Sequence, residues 1–420
     1  MRYGQLSDYF VGVGVKRLTA VDTDPGRSNQ HEVGTTQDMR DQFLGKVHRE
    51  QFTVVYVWLG QDQDGFTSEG TATHYDARKQ QTHRRPEWRL YYPSNPVTEA
   101  MGEGDTLFLA MDHRRLLYFI VASRGSTSER QLSWLFGLHP EGRSFVSRGF
   151  IDDGSELDFA ARFILDEIGI EFEDPEADKL DTLIERFGMM FPSTREFSDL
   201  ARLTLPEARA EDDPDAALVA WLSHEGSLFR RLERKIVEAR LGKGFLAETP
   251  GPGRGTAPDN DDIDVDSFLK FSLSVQNRRK SRMGHSLENH LEAVFRACGV
   301  AHVRGAITEN NQKPDFLFPG IEAYRAAPHG HPCLTMLGAK STCKDRWRQV
   351  LAEASKIPRK HLLTLEPGIS EPQTAQMENS DLQLVVPESI QASYTEDQRA
   401  WLWNLGDFIR DARVRAGSYK

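Results

Sequence analysis

Two stretches decide how the C-terminal half of the chain is read: AITENNQKPDFLFP at Ala306–Pro319 and LGAKSTCKDRWRQVLAEASKI at Leu337–Ile357. The first sets Asp315 at the head of the apolar run FLF, and Lys340 follows 25 residues later in the second. Cutting a phosphodiester requires a divalent cation to polarise the phosphate and activate water, and a hard ion such as Mg2+ takes carboxylate oxygens. Asp315 supplies one such oxygen donor. A lysine at the end of a neighbouring strand can position the water, help deprotonate it and offset charge on the phosphate. Many strands begin with Pro-Asp, so the pair counts only alongside a further ligand.

Working outward, the usual nuclease arrangement has an acid two residues before the lysine, where this chain has Gly338. A second ligand must therefore come from elsewhere. Glu353, on the helix after Lys340, and Glu288, on the helix before Asp315, are each placed to reach the sheet edge; the plain alternative for each is a solvated helix glutamate. In SLENHLEAVFRACGV, Leu287, Leu291, Val294 and Cys298 form one helical stripe, with Ser286 as a candidate cap. Strands are expected at Val303–Ile307, Asp315–Phe318, Leu334–Lys340, His361–Leu365 and Leu382–Val386, with a helix from Arg346 to about Lys356. This succession predicts a mixed sheet flanked by helices. Lys344, Asp345 and Arg346 suit reading of adjacent G·C pairs, since Lys and Arg donate to guanine and Asp accepts from cytosine. A helix first turn carrying an Asp for dipole reasons explains them equally. Arg278, Arg279, Lys280 and Arg282 suit phosphate contact, against the plain reading of a solvated face.

The chain's 420 residues suit two domains of roughly 150–230 residues each. Between Tyr9 and Val121 short β-rich segments alternate with Gly, Pro and Asp clusters, the pattern of an all-β barrel or sandwich. The boundaries are read as 1–173 for this domain, 174–186 for a linker and 187–420 for the second domain, with a mobile loop at 249–264. The net charge of −11 excludes a chain coated in basic residues, although Arg78–Arg89 and Lys340–Arg348 are locally basic. Three irregularly spaced cysteines without a CxxC pair indicate neither a disulfide framework nor a zinc site. No apolar run approaches a membrane span and no secretory pattern opens the chain, so a cytoplasmic location is expected.

SVQNRRKSRMGHSLENHLE (274–292), together with the two stretches quoted first, closely resembles the nuclease domain of EcoRII-type restriction endonucleases. RFGMMFPSTREF, HLLTLEPGIS and LQLVVP extend the resemblance over about the last 230 residues. It implies a PD-(D/E)XK α/β nuclease fold of the branch that recruits a helix glutamate, acting with Mg2+ on double-stranded DNA at a CCWGG-like site; a homodimer is expected because two strands need two active sites and a palindromic site mirrors two-fold symmetry. Asp315, Lys340 and Glu353 fall on the catalytic positions, Glu288 on a supporting carboxylate and Tyr324 on a tyrosine near the centre. Lys344, Asp345 and Arg346 fall on the base reader. YFVGVGVKRLTAVDT, HEVG and PEWRL resemble the same family more loosely, implying an N-terminal all-β DNA-binding pseudobarrel that binds an effector copy of the site. Arg17, His31, Tyr75, Glu87 and Arg89 carry over to its DNA contacts. Trp88 stands where that family has a lysine, so it either stacks on a base, which opens a 5-methylcytosine-dependent nuclease as an alternative, or packs under its loop. A DNA-binding regulator with a decayed nuclease is the non-catalytic alternative.

Overall fold

The computed structural model describes residues 4–23, 31–60, 65–81, 83–150, 157–170, 180–242, 265–343 and 346–417. They form two compact units. The first comprises Met1–Glu173 with Glu366–Gln376 and Ile390–Ala400; the second comprises Asp174–Leu365 with Met377–Ser389 and Trp401–Lys420.

In the first unit, β1 (Phe10–Arg17), β2 (Glu32–Gly34), β3 (Arg49–Leu59), β4 (Phe66–Asp76), β5 (Trp88–Tyr91), β6 (Thr106–Asp112), β7 (Leu117–Ala122) and β8 (Val146–Gly149) form one sheet in the order β2-β5-β4-β3-β7-β6-β1-β8. Strand side chains alternate between faces, and here both faces are apolar. Phe52, Val54 and Tyr56 of β3, Leu107, Leu109 and Met111 of β6 and Leu117, Phe119 and Val121 of β7 enter one core. The intervening Val57, Phe108, Ala110, Ile120 and Ala122 enter a second core, covered by α1 (Thr127–Phe136) and α2 (Phe159–Glu167). Both helices start at side-chain caps, Ser126 accepting from the Glu129 N–H and Asp158 from the Ala161 N–H. The β-rich reading of this half is matched, with the refinement that β3 and β7 run parallel.

The second unit opens with α3 (Leu180–Phe187), α4 (Thr194–Leu203), α5 (Pro214–Gly242) and α6 (Val265–Ala297). Helix α3 takes up the second half of the stretch expected to be a linker, because Leu183 is buried against Phe197, Leu228 and Phe229. The expected loop at 249–264 lies outside the described residues. Ser286 does not cap a helix: it sits inside the 33-residue α6 and donates to Glu225 Oε1. On α6, Leu287, Leu291 and Val294 are fully buried as their spacing predicts, whereas Cys298 is only half-buried.

Beyond α6 lie β9 (Val303–Arg304), β10 (Phe316–Phe318), α7 (Ile321–Ala326), β11 (Thr335–Lys340), α8 (Trp347–Leu351), β12 (Lys360–Thr364), β13 (Leu382–Val385) and the helix α9 (Leu405–Gly417). The sheet order is β13-β12-β11-β10-β9, with β11, β12 and β13 parallel and β9, β10 and β11 antiparallel. This is the mixed sheet expected from the element order. Phe316, Leu317 and Phe318 are all buried, which is why β10 reads as an unbroken apolar run rather than an alternation. Helix α8 stops at Leu351, shorter than the expected run to Lys356, since Ala354 adopts a left-handed φ of 45° that no α-helix continues.

Candidate active site

Antiparallel pairing of β10 with β11 sets Phe316 opposite Leu337, so Asp315 emerges beside the end of β11. Its Oδ2 accepts the Ala339 N–H at 2.7 Å and the Lys340 ammonium at 2.9 Å. Both bonds fall on one oxygen, and among the described residues none falls on Oδ1. Glu353 stands in the turn after α8, 8% exposed, and its Oε2 is buried without a hydrogen-bond partner. Burial first, and then the charge of Asp315, push the Glu353 carboxyl up to about 7, against the opposing pull of Lys340 and Lys360. An orphaned buried carboxylate oxygen in a group that feels the charge of a second carboxylate fits a hard divalent cation, which would relieve both the missing partner and the repulsion.

The supporting residues lie elsewhere than expected. Glu288 Oε2 accepts from Arg304 at 2.7 and 3.2 Å, and Arg304 also reaches Asn289 and Glu292. Among the described residues no three His, Cys, Asp or Glu side chains gather as metal ligands. Glu288 is therefore neutralised by an arginine, and the two acids whose charges act on each other are Asp315 and Glu353. Tyr324 donates to Glu309 Oε2 at 2.6 Å and accepts the Lys356 N–H at 3.2 Å. Burial and the Glu309 bond raise its phenol to about 12, so it is a fixed donor rather than a proton carrier.

Of the expected DNA contacts in this unit, Arg346 is exposed at the start of α8, while Lys344, Asp345 and the side chain of Lys280 lie outside the described residues. Arg279 and Arg282 are not a free phosphate-binding row. Arg279 pairs with buried Glu233 at 2.5 Å, and Arg282, 7% exposed, pairs with Glu225 at 2.9 Å above the Phe229 ring. Arg278 lies over Phe191. Acids of α5, 46 and 57 residues upstream, pair with Arg279, which stays exposed, and with Arg282, which is buried.

The position of the missing acid has a steric explanation. A Cβ on Gly338 would meet Val350 Cγ2 at 3.0 Å and Cγ1 at 3.1 Å, with Leu362 Cδ1 at 3.5 Å. Helix α8 thus occupies the space that a side chain at 338 would need, and Glu353, just past that helix, brings the carboxylate instead. Installing Gly338→Asp in a Glu353→Ala background is expected to lower stability by roughly 1–3 kcal/mol and to leave cleavage unrestored. Thermal unfolding with a parallel DNA digest checks both; recovered cutting would show that the space exists.

Sequence reading missed Lys360, Glu309 and the Ala339 N–H. Only Lys360 carried a signal, a charged residue opening the otherwise apolar strand KHLLT. It is 5% exposed, and burial lowers its ammonium to about 8, with Glu353 and Glu309 opposing.

In the first unit, Tyr75, Glu87 and Arg89 converge with Glu32 on the β2-β5-β4 edge. Arg89 pairs with Glu32 at 2.9 Å and with Glu87 at 2.6 Å, and Tyr75 donates to Glu32. His31 sits edge-on to the Tyr92 ring. Arg17 is held by Glu129 at 2.5 Å and Thr106 at 2.7 Å, which ties β1 to α1. Trp88 is 8% exposed, with the Arg40 guanidinium 3.5 Å above its ring and His74 stacked at 5.2 Å. Of its two readings, packing under the loop is the one this burial supports.

Residues 229–409 match the family model described as EcoRII C terminal. The resemblance read from the sequence is thereby borne out over the C-terminal half. The chain is 43% identical over 200 residues to the type II restriction enzyme EcoRII of Escherichia coli, spanning 47% of this chain and 45% of that enzyme, less than half its length. Among solved structures, metal-depleted Ecl18kI in complex with uncleaved, modified DNA aligns with a TM-score of 0.45 at 18% identity, over 57% of this chain and 85% of that one. A PspGI–substrate DNA complex aligns with a TM-score of 0.43 at 15% identity, over 54% and 94%. Among the described residues no helix is long and apolar enough to cross a membrane.

Proposed function

We propose that this chain is a Mg2+-dependent type II restriction endonuclease that hydrolyses double-stranded DNA at or near a CCWGG-like site in the cytoplasm. One observation carries the reading: Lys340 grips Asp315 at 2.9 Å while the buried Oε2 of Glu353, beside them, lacks any partner. Asp315 and Glu353 would hold the ion, which when bound supplies polarisation of the scissile phosphate and acidification of a water. Lys340 orients that water and offsets charge on the phosphate. The Ala339 N–H holds Asp315 in place, and Glu353, its carboxyl raised to about 7, would hold the ion in its charged form.

Lys344, Asp345 and Arg346 are the base readers in this proposal, and the first unit is a DNA-binding pseudobarrel that engages an effector or recognition site through Tyr75, Glu87 and Arg89. In the free chain Arg89 is already paired with two glutamates, so DNA phosphates or bases must displace them. Two strands of a palindromic site call for two such centres, hence a homodimer. The intact Asp315, Lys340 and Glu353 set speaks against a decayed regulator.

The test is digestion of the same genomic DNA, with and without cytosine methylation, in Mg2+, followed by sequencing of fragment ends. Defined ends at a C/G-rich site on unmethylated DNA are expected. Cutting confined to methylated DNA would instead select the modification-dependent reading, and no cutting of either substrate would remove the nuclease assignment.

A further inference from the structure

We propose that Lys360 is a positioning residue of this site: its buried ammonium clamps the turn that carries Glu353 and so fixes where the second carboxylate stands. The inference rests on the nuclease reading above and extends it to a residue outside the reacting set.

Glu353 has no hydrogen bond on its buried Oε2, so no side-chain partner holds that oxygen in place. Its position depends on the turn that follows α8. That turn is conformationally costly, because Ala354, directly after Glu353 and fully buried, adopts a φ of 45°. An L-residue there is held in a disfavoured left-handed backbone conformation. Lys360 Nζ donates to Ala354 O at 2.8 Å and to Ile357 O at 2.5 Å, bridging the two ends of the turn from the first residue of β12. A buried ammonium is costly unless its donors are used, and these two carbonyls are what it uses.

A second lysine fastens the outer flank. Lys356 Nζ donates to Tyr324 O, Arg325 O and Ala327 O at 2.9–3.0 Å, and its N–H reaches Tyr324 Oη. Lys356 therefore ties the turn to α7, whereas Lys360 acts on the residue next to the acid. Of the two lysines, Lys360 is the one that bonds the carbonyl of Ala354, the residue directly after Glu353.

The experiment compares the full-length wild type with Lys360→Met, which keeps the reach and loses the donors, and with Lys360→Arg, which keeps donors and charge. Mn2+ binding is read by calorimetry, duplex binding by gel shift in Ca2+, and cleavage as kcat and KM across Mg2+ concentrations. Lys360→Met is expected to weaken Mn2+ binding by roughly 10–100-fold and to lower kcat at limiting Mg2+, with KM and duplex affinity within about twofold and Lys360→Arg largely recovered. A folded Lys360→Met with wild-type Mn2+ affinity and Mg2+ dependence overturns the proposal. Should Lys360→Met not fold, Lys360→Met with Ala354→Gly removes the left-handed strain, and wild-type Mn2+ affinity in that double variant overturns it equally. A wild type that neither binds Mn2+ nor cuts DNA instead sinks the nuclease reading itself.

Discussion

Replacing Asp315 with Asn is expected to slow DNA cleavage by roughly 10³-fold or more while leaving duplex affinity within a few-fold of wild type. The substitution keeps the shape of the side chain and removes its charge where the Ala339 N–H and the Lys340 ammonium meet the carboxylate proposed to hold the ion. Asp315 Oδ2 holds both the Ala339 N–H and the Lys340 ammonium. A neutral amide there loses the charge that would bind a cation, and it also releases Lys340 from its set position. Lys340→Ala removes the other half of the same contact and is expected to match it. Both partners are partly solvent-exposed, at 15% and 22%, so the ion pair itself contributes little to stability and the variants should fold. Single-turnover rates at saturating Mg2+, set against gel shifts in Ca2+, separate the two effects. Cutting at the native rate by Asp315→Asn would take Asp315 out of the centre.

The contact between Asp315 and Lys340 was legible because strand order and short-range antiparallel register bring the head of one strand to the end of its neighbour. A two-residue spacing rule did not find the second acid, yet the glycine at 338 announced that it had to come from elsewhere. Other features were hidden because they depend on partners far away in sequence. Nothing local to Ser286 marks it as a ligand of Glu225, 61 residues upstream, rather than a cap. Likewise the row Arg278–Arg282 reads as a phosphate-binding surface until Glu225 and Glu233 appear beside it. Helix α8 ends early for the same kind of reason: a lysine from the next strand and a left-handed alanine override the helical propensity of LAEASK. Trp88 was ambiguous between stacking and packing, and Arg40 above its ring supplies the contact that sequence spacing could not reveal.

Glu353→Gln is expected to abolish cleavage and yet to raise the stability of the metal-free protein at pH 8. Burial and the nearby Asp315 raise the Glu353 carboxyl from its ordinary 4.5 to about 7. A folded-state value above the unfolded one means that the folded protein keeps a proton the unfolded chain has already released. Stability from this group is therefore present at low pH, declines as pH rises above about 4.5, and reaches its full penalty once pH exceeds about 7. A displacement of this size corresponds to roughly 3 kcal/mol, for a side chain only 8% exposed. Glutamine removes the charge but leaves an amide in the same unpartnered place, which returns about half of that gain. A net increase of roughly 1–2 kcal/mol at pH 8, shrinking towards pH 5, is the expected outcome in unfolding curves recorded with EDTA. Mg2+ should then reverse the order, stabilising the wild type and not the variant, because only the wild type keeps both carboxylates. Equal gaps at pH 5 and pH 8, or stabilisation of both proteins by Mg2+, would mean that Glu353 is neither a strained buried acid nor a ligand.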